Sequence, residues 1–155
     1  MTGKTDKSAR PEAEAQPDRV PWPRPTMNQD TAFFWEGVDE GELRIQRCAS
    51  CGTLRHPVRP MCARCQSVEF DWIVSTGRGT IYSYVVMHHP PVPPFSYPNT
   101  LLLVELEEGT RLVSSLVDAD RSEVRIGLPV ELEIVEVDPG LKLPMFRLSQ
   151  REGVA

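Results

Sequence analysis

The sequence predicts a mainly β protein: a short N-terminal helix, then a metal-clipped ribbon, then a small C-terminal barrel. Three observations predict it. All four cysteines fall within CASCGTLRHPVRPMCARC at 48–65, as two Cys-x2-Cys pairs separated by ten residues. From residue 79 onward, short runs of β-branched, aromatic and aliphatic residues recur with turn signals between them. Ahead of both, Phe33-Phe34-Trp35 sits in a stripe with helical spacing.

The elements follow in order. Residues 1–25 carry five prolines, many charges and few large apolar side chains, so they read as a flexible tail, with PWPRP at 21–25 able to dock Trp22. A helical segment occupies 26–42. Thr26 and Gln29 have capping-box spacing, Met27, Thr31, Phe34, Trp35 and Val38 share one face, and Gly41 is the expected stop. That aromatic face either packs on its own domain or forms a partner surface.

Residues 43–76 form the ribbon. Leu43–Arg47 alternates as a strand leading into the first cysteine pair, and Phe70–Val74 is its return after the second. A Cys-x2-Cys knuckle aims two thiolates at one point, and a second knuckle completes a tetrahedron. Gly52 suits the turn after the first pair, whereas the second, CARCQ, has no glycine there. Structural zinc is the primary reading. A rubredoxin-like iron site uses the same two knuckles, and redox thiols are the third alternative. A closed four-thiolate zinc site has no open coordination position, so it holds shape and activates no water.

Residues 77–150 read as an OB-fold, with 151–155 a short tail. Expected strands are Thr80–His88, Thr100–Leu106, Thr110–Val117, Val130–Val137 and Phe146–Ser149. TLLLVEL at 100–106 is nearly all apolar, as in a buried central strand. The alternation of VELEIVEV slips at Ile134-Val135, which predicts a β-bulge there. Asp118–Gly127 is a turn or short helix between the third and fourth strands of a Greek-key barrel. The loop HHPPVPPFSYPN at 88–99 has five prolines and reads as a stiff extended arm.

Charge narrows the function. The formal net charge is −5, from 17 basic and 22 acidic residues, which argues against a surface devoted to nucleic acid. Yet Arg44, Arg47, Arg55, Arg59 and Arg64, with His56, lie between 43 and 68 without an acidic neighbour. A zinc ion with four thiolates carries a net −2, so five arginines leave a surplus for an anion. That anion would be a nucleic-acid backbone or a phosphorylated cofactor such as coenzyme A, whose phosphates Arg55, Arg59 and Arg64 are the candidates to hold. Ser83, Ser96, Ser114 and Ser115 sit in no nucleophile elbow, and no GxGxxG or Walker loop occurs. Neither a membrane span nor an apolar secretory leader is present in the sequence, so the expected location is cytoplasmic, where paired cysteines bind metal.

The ordered motifs FFWEGVDEGELRIQRCASCG, MCARCQS, FDWIVSTGRGTIYSY, LLLVELEEGTRLVSSLVD and IGLPVELEI resemble the rubredoxin-like zinc ribbon plus OB-fold family of acyl-CoA-associated proteins, over about residues 26–150. The resemblance implies a non-catalytic accessory subunit in a hetero-oligomer. Its partner would be a thiolase-like aldolase or thiolase, or a hot-dog-fold enoyl-CoA hydratase, and similar proteins act in steroid side-chain degradation with acyl-CoA as ligand of the complex. It also implies Cys48, Cys51, Cys62 and Cys65 as metal ligands and no catalytic residue in this chain. Expected partner contacts are Phe33, Phe34 and Trp35 on the helix, and His88, Pro91, Phe95 and Tyr97 on the arm. Two rivals stand beside this reading. One is a single-strand nucleic-acid binder stacking bases on Tyr82 and Tyr84; the other is an iron-loaded electron carrier.

Overall fold

Helix α1 spans Ala32–Glu40 in the computed structural model, which describes residues 20–117 and 120–149. It starts later than the Thr26–Gln29 spacing predicts. The Asn28 side chain accepts the N–H groups of Asp30 and Thr31, both at 3.0 Å, and this Asx turn displaces the first helical turn. The stop falls at Gly41 as expected. Its N–H donates to Val38 O and that of Glu42 to Gly37 O, closing the helix in a left-handed cap.

The ribbon is a three-stranded antiparallel sheet in the order β2-β1-β3, with β1 Arg44–Cys48, β2 Leu54–Arg55 and β3 Phe70–Val74. Ile45 pairs Ile73, and Gln46 lies between Arg55 and Trp72. The barrel is a five-stranded sheet in the order β6-β5-β4-β7-β8. Its strands are β4 Arg78–Met87, β5 Asn99–Leu106, β6 Arg111–Ser115, β7 Pro129–Asp138 and β8 Leu141–Leu148. A parallel bridge between Leu116 and Phe146 closes it, so the sheet is an OB-type barrel. The turn between β6 and β7 holds a short 3-10 helix at Arg121–Glu123, opened by a capping box of Asp120 and Glu123.

Two strand expectations need correction. The pairing of β7 with β8 runs without a shift through Ile134-Val135, and its irregularity falls between Glu136 and Asp138. The slip in alternation has another cause. Ile134 packs on the core, while Leu143, opposite Val135, lines a cleft beneath Trp22 and Trp35, so this end of the hairpin is covered on both faces. The main bulge lies in β4, between Ile81 and Ser83. The last strand also begins earlier than Phe146, because Pro144 is accommodated opposite Ile134 with its carbonyl accepting the Ser114 hydroxyl at 2.6 Å.

One core joins the parts. Phe33, Phe34, Val38, Leu43 and Ile45 cluster with Ile81, Leu102, Val104, Val130 and Phe146, so helix and ribbon share their apolar interior with the barrel. At the ribbon–barrel junction, Glu108 accepts the Ser75 hydroxyl at 3.0 Å and the Thr76 N–H at 2.7 Å. The Ser75 N–H reaches back to Leu43 O at 2.8 Å. Residues 21–25 run along the β7–β8 turn: Trp22 N–H donates to Asp138, Arg24 donates to the carbonyls of Pro139 and Gly140, and the Trp22 ring meets Phe95 edge-on at 4.9 Å. Trp22 therefore docks, and what it docks against is the proline-rich arm.

Candidate metal centre and its basic rim

The two knuckles are built alike. Cys48 ends β1, its N–H bonded to Thr53 O, and Gly52 N–H returns to Cys48 O at 2.9 Å. In the second knuckle Cys62 N–H bonds to Ser67 O and Gln66 N–H returns to Cys62 O at 2.8 Å. Gly52 has φ 71 and Gln66 φ 64, so both occupy the left-handed region, which suits glycine and strains glutamine. The glycine missing from CARCQ is thus a real local cost, carried by the second knuckle.

The Sγ atoms of Cys48, Cys51, Cys62 and Cys65 all lie within 4.8 Å of one another, with Cys48–Cys65 at 3.5 Å and Cys51–Cys62 at 3.7 Å. A tetrahedral ion with Zn–S of about 2.3 Å requires sulfurs about 3.8 Å apart. The cage fits that size, and its donors are all soft sulfur. Cys48 and Cys62 are buried, Cys51 is half-buried and Cys65 is exposed. The Thr53 hydroxyl, 3.1 Å from the Cys51 sulfur, and the Thr53 backbone draw that thiol down to about 6. Although the Ser67 N–H pulls Cys65 down, the neighbouring sulfurs of Cys51 and Cys48 push it up to about 12. In the sequence Thr53 carries one signal for this role, its place directly after Gly52.

The arginines divide into two groups. Arg47 is held by Asp71 in a two-point pair at 2.8 and 2.6 Å, and Arg44 pairs with Glu40 and Glu42. Their charges are met by carboxylates just outside the acid-free stretch. Arg59 and Arg64 are exposed, with no side-chain partner among the described residues. Arg55 is different: it is only 9% exposed, and none of its three side-chain nitrogens has a hydrogen-bond partner among the described residues. It stands opposite Gln46, whose amide clamps the backbone N–H and C=O of Arg59, each at 3.0 Å. Gln46, a polar residue amid an alternating strand, is the sequence signal for that clamp. His56 is half-buried against Phe34, and its burial lowers its pKa.

The expected partner contacts are spread out. Phe33 and Phe34 are 6% exposed and belong to the chain's own core, Phe33 stacking on Trp72 at 5.5 Å. Trp35 is half-buried and lines a cleft of about 310 Å³ with Trp22, His56, Leu143 and Met145. On the arm, His88 and Pro91 are exposed, while Phe95 and Tyr97 are half-buried. Tyr82 has the Arg111 guanidinium 3.5 Å from its ring centre, and Arg111 in turn bonds Glu105, so that ring face is taken. No helix among the described residues is long and apolar enough to cross a membrane.

Comparison with known proteins gives these features a family. A family model described as the ChsH2 rubredoxin-like zinc ribbon domain matches residues 35–71, and one described as the ChsH2 C-terminal OB-fold domain matches residues 72–135. The 3-oxo-4,17-pregnadiene-20-carboxyl-CoA hydratase alpha subunit of Mycobacterium tuberculosis is 49% identical over 113 residues, which is 73% of this chain and 36% of that protein. A DUF35 domain-containing scaffold protein of Methanocaldococcus jannaschii is 38% identical over 100 residues, 63% of this chain and 71% of its own length. A chain of the solved Ltp2-ChsH2(DUF35) aldolase superposes with a TM-score of 0.77 at 50% identity, over 81% of this chain and 98% of that one. The chain spans less than half the length of the hydratase alpha subunits it matches.

Proposed function

The chain belongs to the DUF35 family, carrying its ChsH2-type zinc-ribbon and OB-fold domains, and from that premise we propose that it is a non-catalytic accessory subunit of a CoA-thioester enzyme. The partner is a thiolase-superfamily retro-aldolase acting on a steroid side-chain acyl-CoA, and a hot-dog-fold hydratase is the alternative partner. The observation that carries this reading is the 50% identity to nearly the whole of a chain solved within an aldolase complex. The site agrees with it. Four thiolates fill a tetrahedral ion, so Zn²⁺ bound there organises the ribbon and leaves no position for substrate.

In this reading the arginines without carboxylate partners serve the acyl-CoA. Arg59 and Arg64 offer exposed guanidinium groups beside the cage, and Arg55 is a buried cation with no hydrogen-bond partner among the described residues. Trp35 and the arm residues His88, Pro91, Phe95 and Tyr97 supply contacts to the partner, and the complex works in the cytoplasm. The test is reconstitution. Cleavage or hydration of a steroid acyl-CoA is measured with this chain alone, with the partner subunit alone and with both. Activity confined to the mixture, together with one zinc per chain by metal analysis, is the expected result; turnover by this chain alone, or by the partner at full rate without it, overturns the proposal.

A further inference from the structure

The outer face of the barrel carries an apolar surface that the described residues leave open. Pairing aligns Ser83 with Leu103 and Val113, and Val85 with Leu101 and Ser115, in two rows on one face of β4–β5–β6. Val85 is 56% and Val113 66% exposed, and together with Leu101 and Leu103 they line a shallow groove of about 260 Å³. On the opposite face Leu102, Val104 and Leu106 are buried. The unbroken run TLLLV in β5 is therefore buried on one face, while Leu101 and Leu103 on the other are only half-buried.

The backbone beside this groove is open as well. Strand β4 pairs with β5 as far as Met87, but with β7 only at Arg78, Gly79 and Thr80. The Ile81 N–H donates to Leu128 O and the Ile81 carbonyl accepts the Gly127 N–H, and there that contact ends. Beyond Ile81, no described residue outside β5 bonds to the main chain of β4. Sheet edges in natural proteins are blunted by charge or proline. The edge YSYVVM at 82–87 has neither, and the first proline follows only at Pro90. A row of unpaired amides and carbonyls is satisfied along its length by one kind of partner, another extended strand.

We infer that the free edge of β4 at Ser83–Met87 receives an extended, uncharged strand of the partner enzyme, which lengthens the sheet while its alternate side chains cover Val85, Leu101, Leu103 and Val113. The groove itself contains no charged residue, and the Arg111–Glu105 pair lies on the adjoining row as a polar border. This inference rests on the accessory-subunit reading. It adds the β4 edge to a surface that borders the Trp35 cleft, which Val113 and Ser115 also line.

The experiment is amide hydrogen exchange on the full chain, free and in its complex with the thiolase-like or hydratase subunit, with Val113→Lys as the variant. Val113 is largely exposed, so the lysine leaves the fold intact while placing a charge in the groove. The expected result is at least tenfold slower exchange at 83–87 in the complex, and at least tenfold weaker binding by Val113→Lys. A stoichiometric complex in which 83–87 exchanges as in the free chain overturns the inference alone. Failure to form any stoichiometric complex overturns both the inference and the accessory reading. Protection that grows with the concentration of this chain by itself identifies a second copy as the occupant, and overturns the assignment to the enzyme.

Discussion

A Cβ built on Gly37 would lie 2.7 Å from both Cγ and Cδ of Arg44, so the arginine stem fills the space the helix leaves there. The head of Arg44 is fixed beyond it. It donates to Glu42 at 2.9 Å and to Phe33 O at 3.4 Å, pairs with Glu40, and lies 5.4 Å over the Trp72 ring. One residue thereby ties α1 to β1 and β3.

A double-mutant cycle on this pair has a defined sign. Alanine gains about 1 kcal/mol over glycine in a helix interior. Gly37→Ala alone nevertheless destabilises by about 1 kcal/mol, because displacing Arg44 forfeits charge-assisted hydrogen bonds together worth about 1.5–3 kcal/mol. In an Arg44→Ala background the same Gly37→Ala change stabilises by about 0.5–1 kcal/mol. Urea unfolding of the four proteins measures the difference.

The knuckles give opposite predictions from equivalent positions. Gln66→Gly relieves a left-handed residue and raises stability by about 0.5–1 kcal/mol. Gly52→Ala, where the added methyl meets open space and only the φ of 71 opposes it, lowers stability by about 1–2 kcal/mol. Thermal unfolding of zinc-loaded protein is the measurement, and metal content must stay at the wild-type level in both variants.

Arg55 is expected to trade stability for ligand binding. Removing a buried, unpartnered charge in favour of an apolar side chain of similar length stabilises by about 1–3 kcal/mol. Arg55→Met therefore raises the melting temperature of the free chain. If Arg55 serves a CoA phosphate, the same variant weakens acyl-CoA binding by the complex about tenfold or more. A variant that melts lower and binds normally would show that Arg55 is satisfied within the fold.

The Arg47–Asp71 pair sets a pH dependence. Its hydrogen bond to Arg47 holds the Asp71 carboxyl below the usual carboxylate range. A depressed folded-state pKa contributes stability that is fully present above the unfolded value of about 3.9 and is lost as pH falls through the folded value. The pair is nearly half exposed, so the effect is small and weakens with salt. Asp71→Asn should flatten that acid limb in urea midpoints collected from neutral pH downward.

What the sequence made legible, and what it hid, follows from the range of the forces involved. The cage was readable because the Cys-x2-Cys spacing fixes local geometry, and Gly41 because a left-handed cap needs that residue. The start of α1 was misplaced because Asn28 offers the backbone a competing turn. Strand β8 was read too short because Pro144 interrupts its pattern, although its backbone carbonyl is used by Ser114 from across the barrel closure. The apolar run of β5 reads as a buried central strand. The structure buries its inner face and leaves Leu101 and Leu103 half-buried on the outer one, and a sequence pattern does not say whether the rest of that cover comes from the same chain. The burial of Arg55 without a hydrogen-bond partner among the described residues is invisible in the sequence, because it depends on a two-residue strand laid beside Gln46.

The most direct test of the central claim is purification of the tagged chain from its native host, with native mass spectrometry of what accompanies it. The account predicts a fixed-ratio complex with a thiolase-superfamily or hot-dog-fold subunit, zinc retained, and CoA-thioester chemistry present in the complex and absent from the chain after separation. Recovery of the chain by itself, or bound to nucleic acid in a salt-sensitive manner, would contradict it.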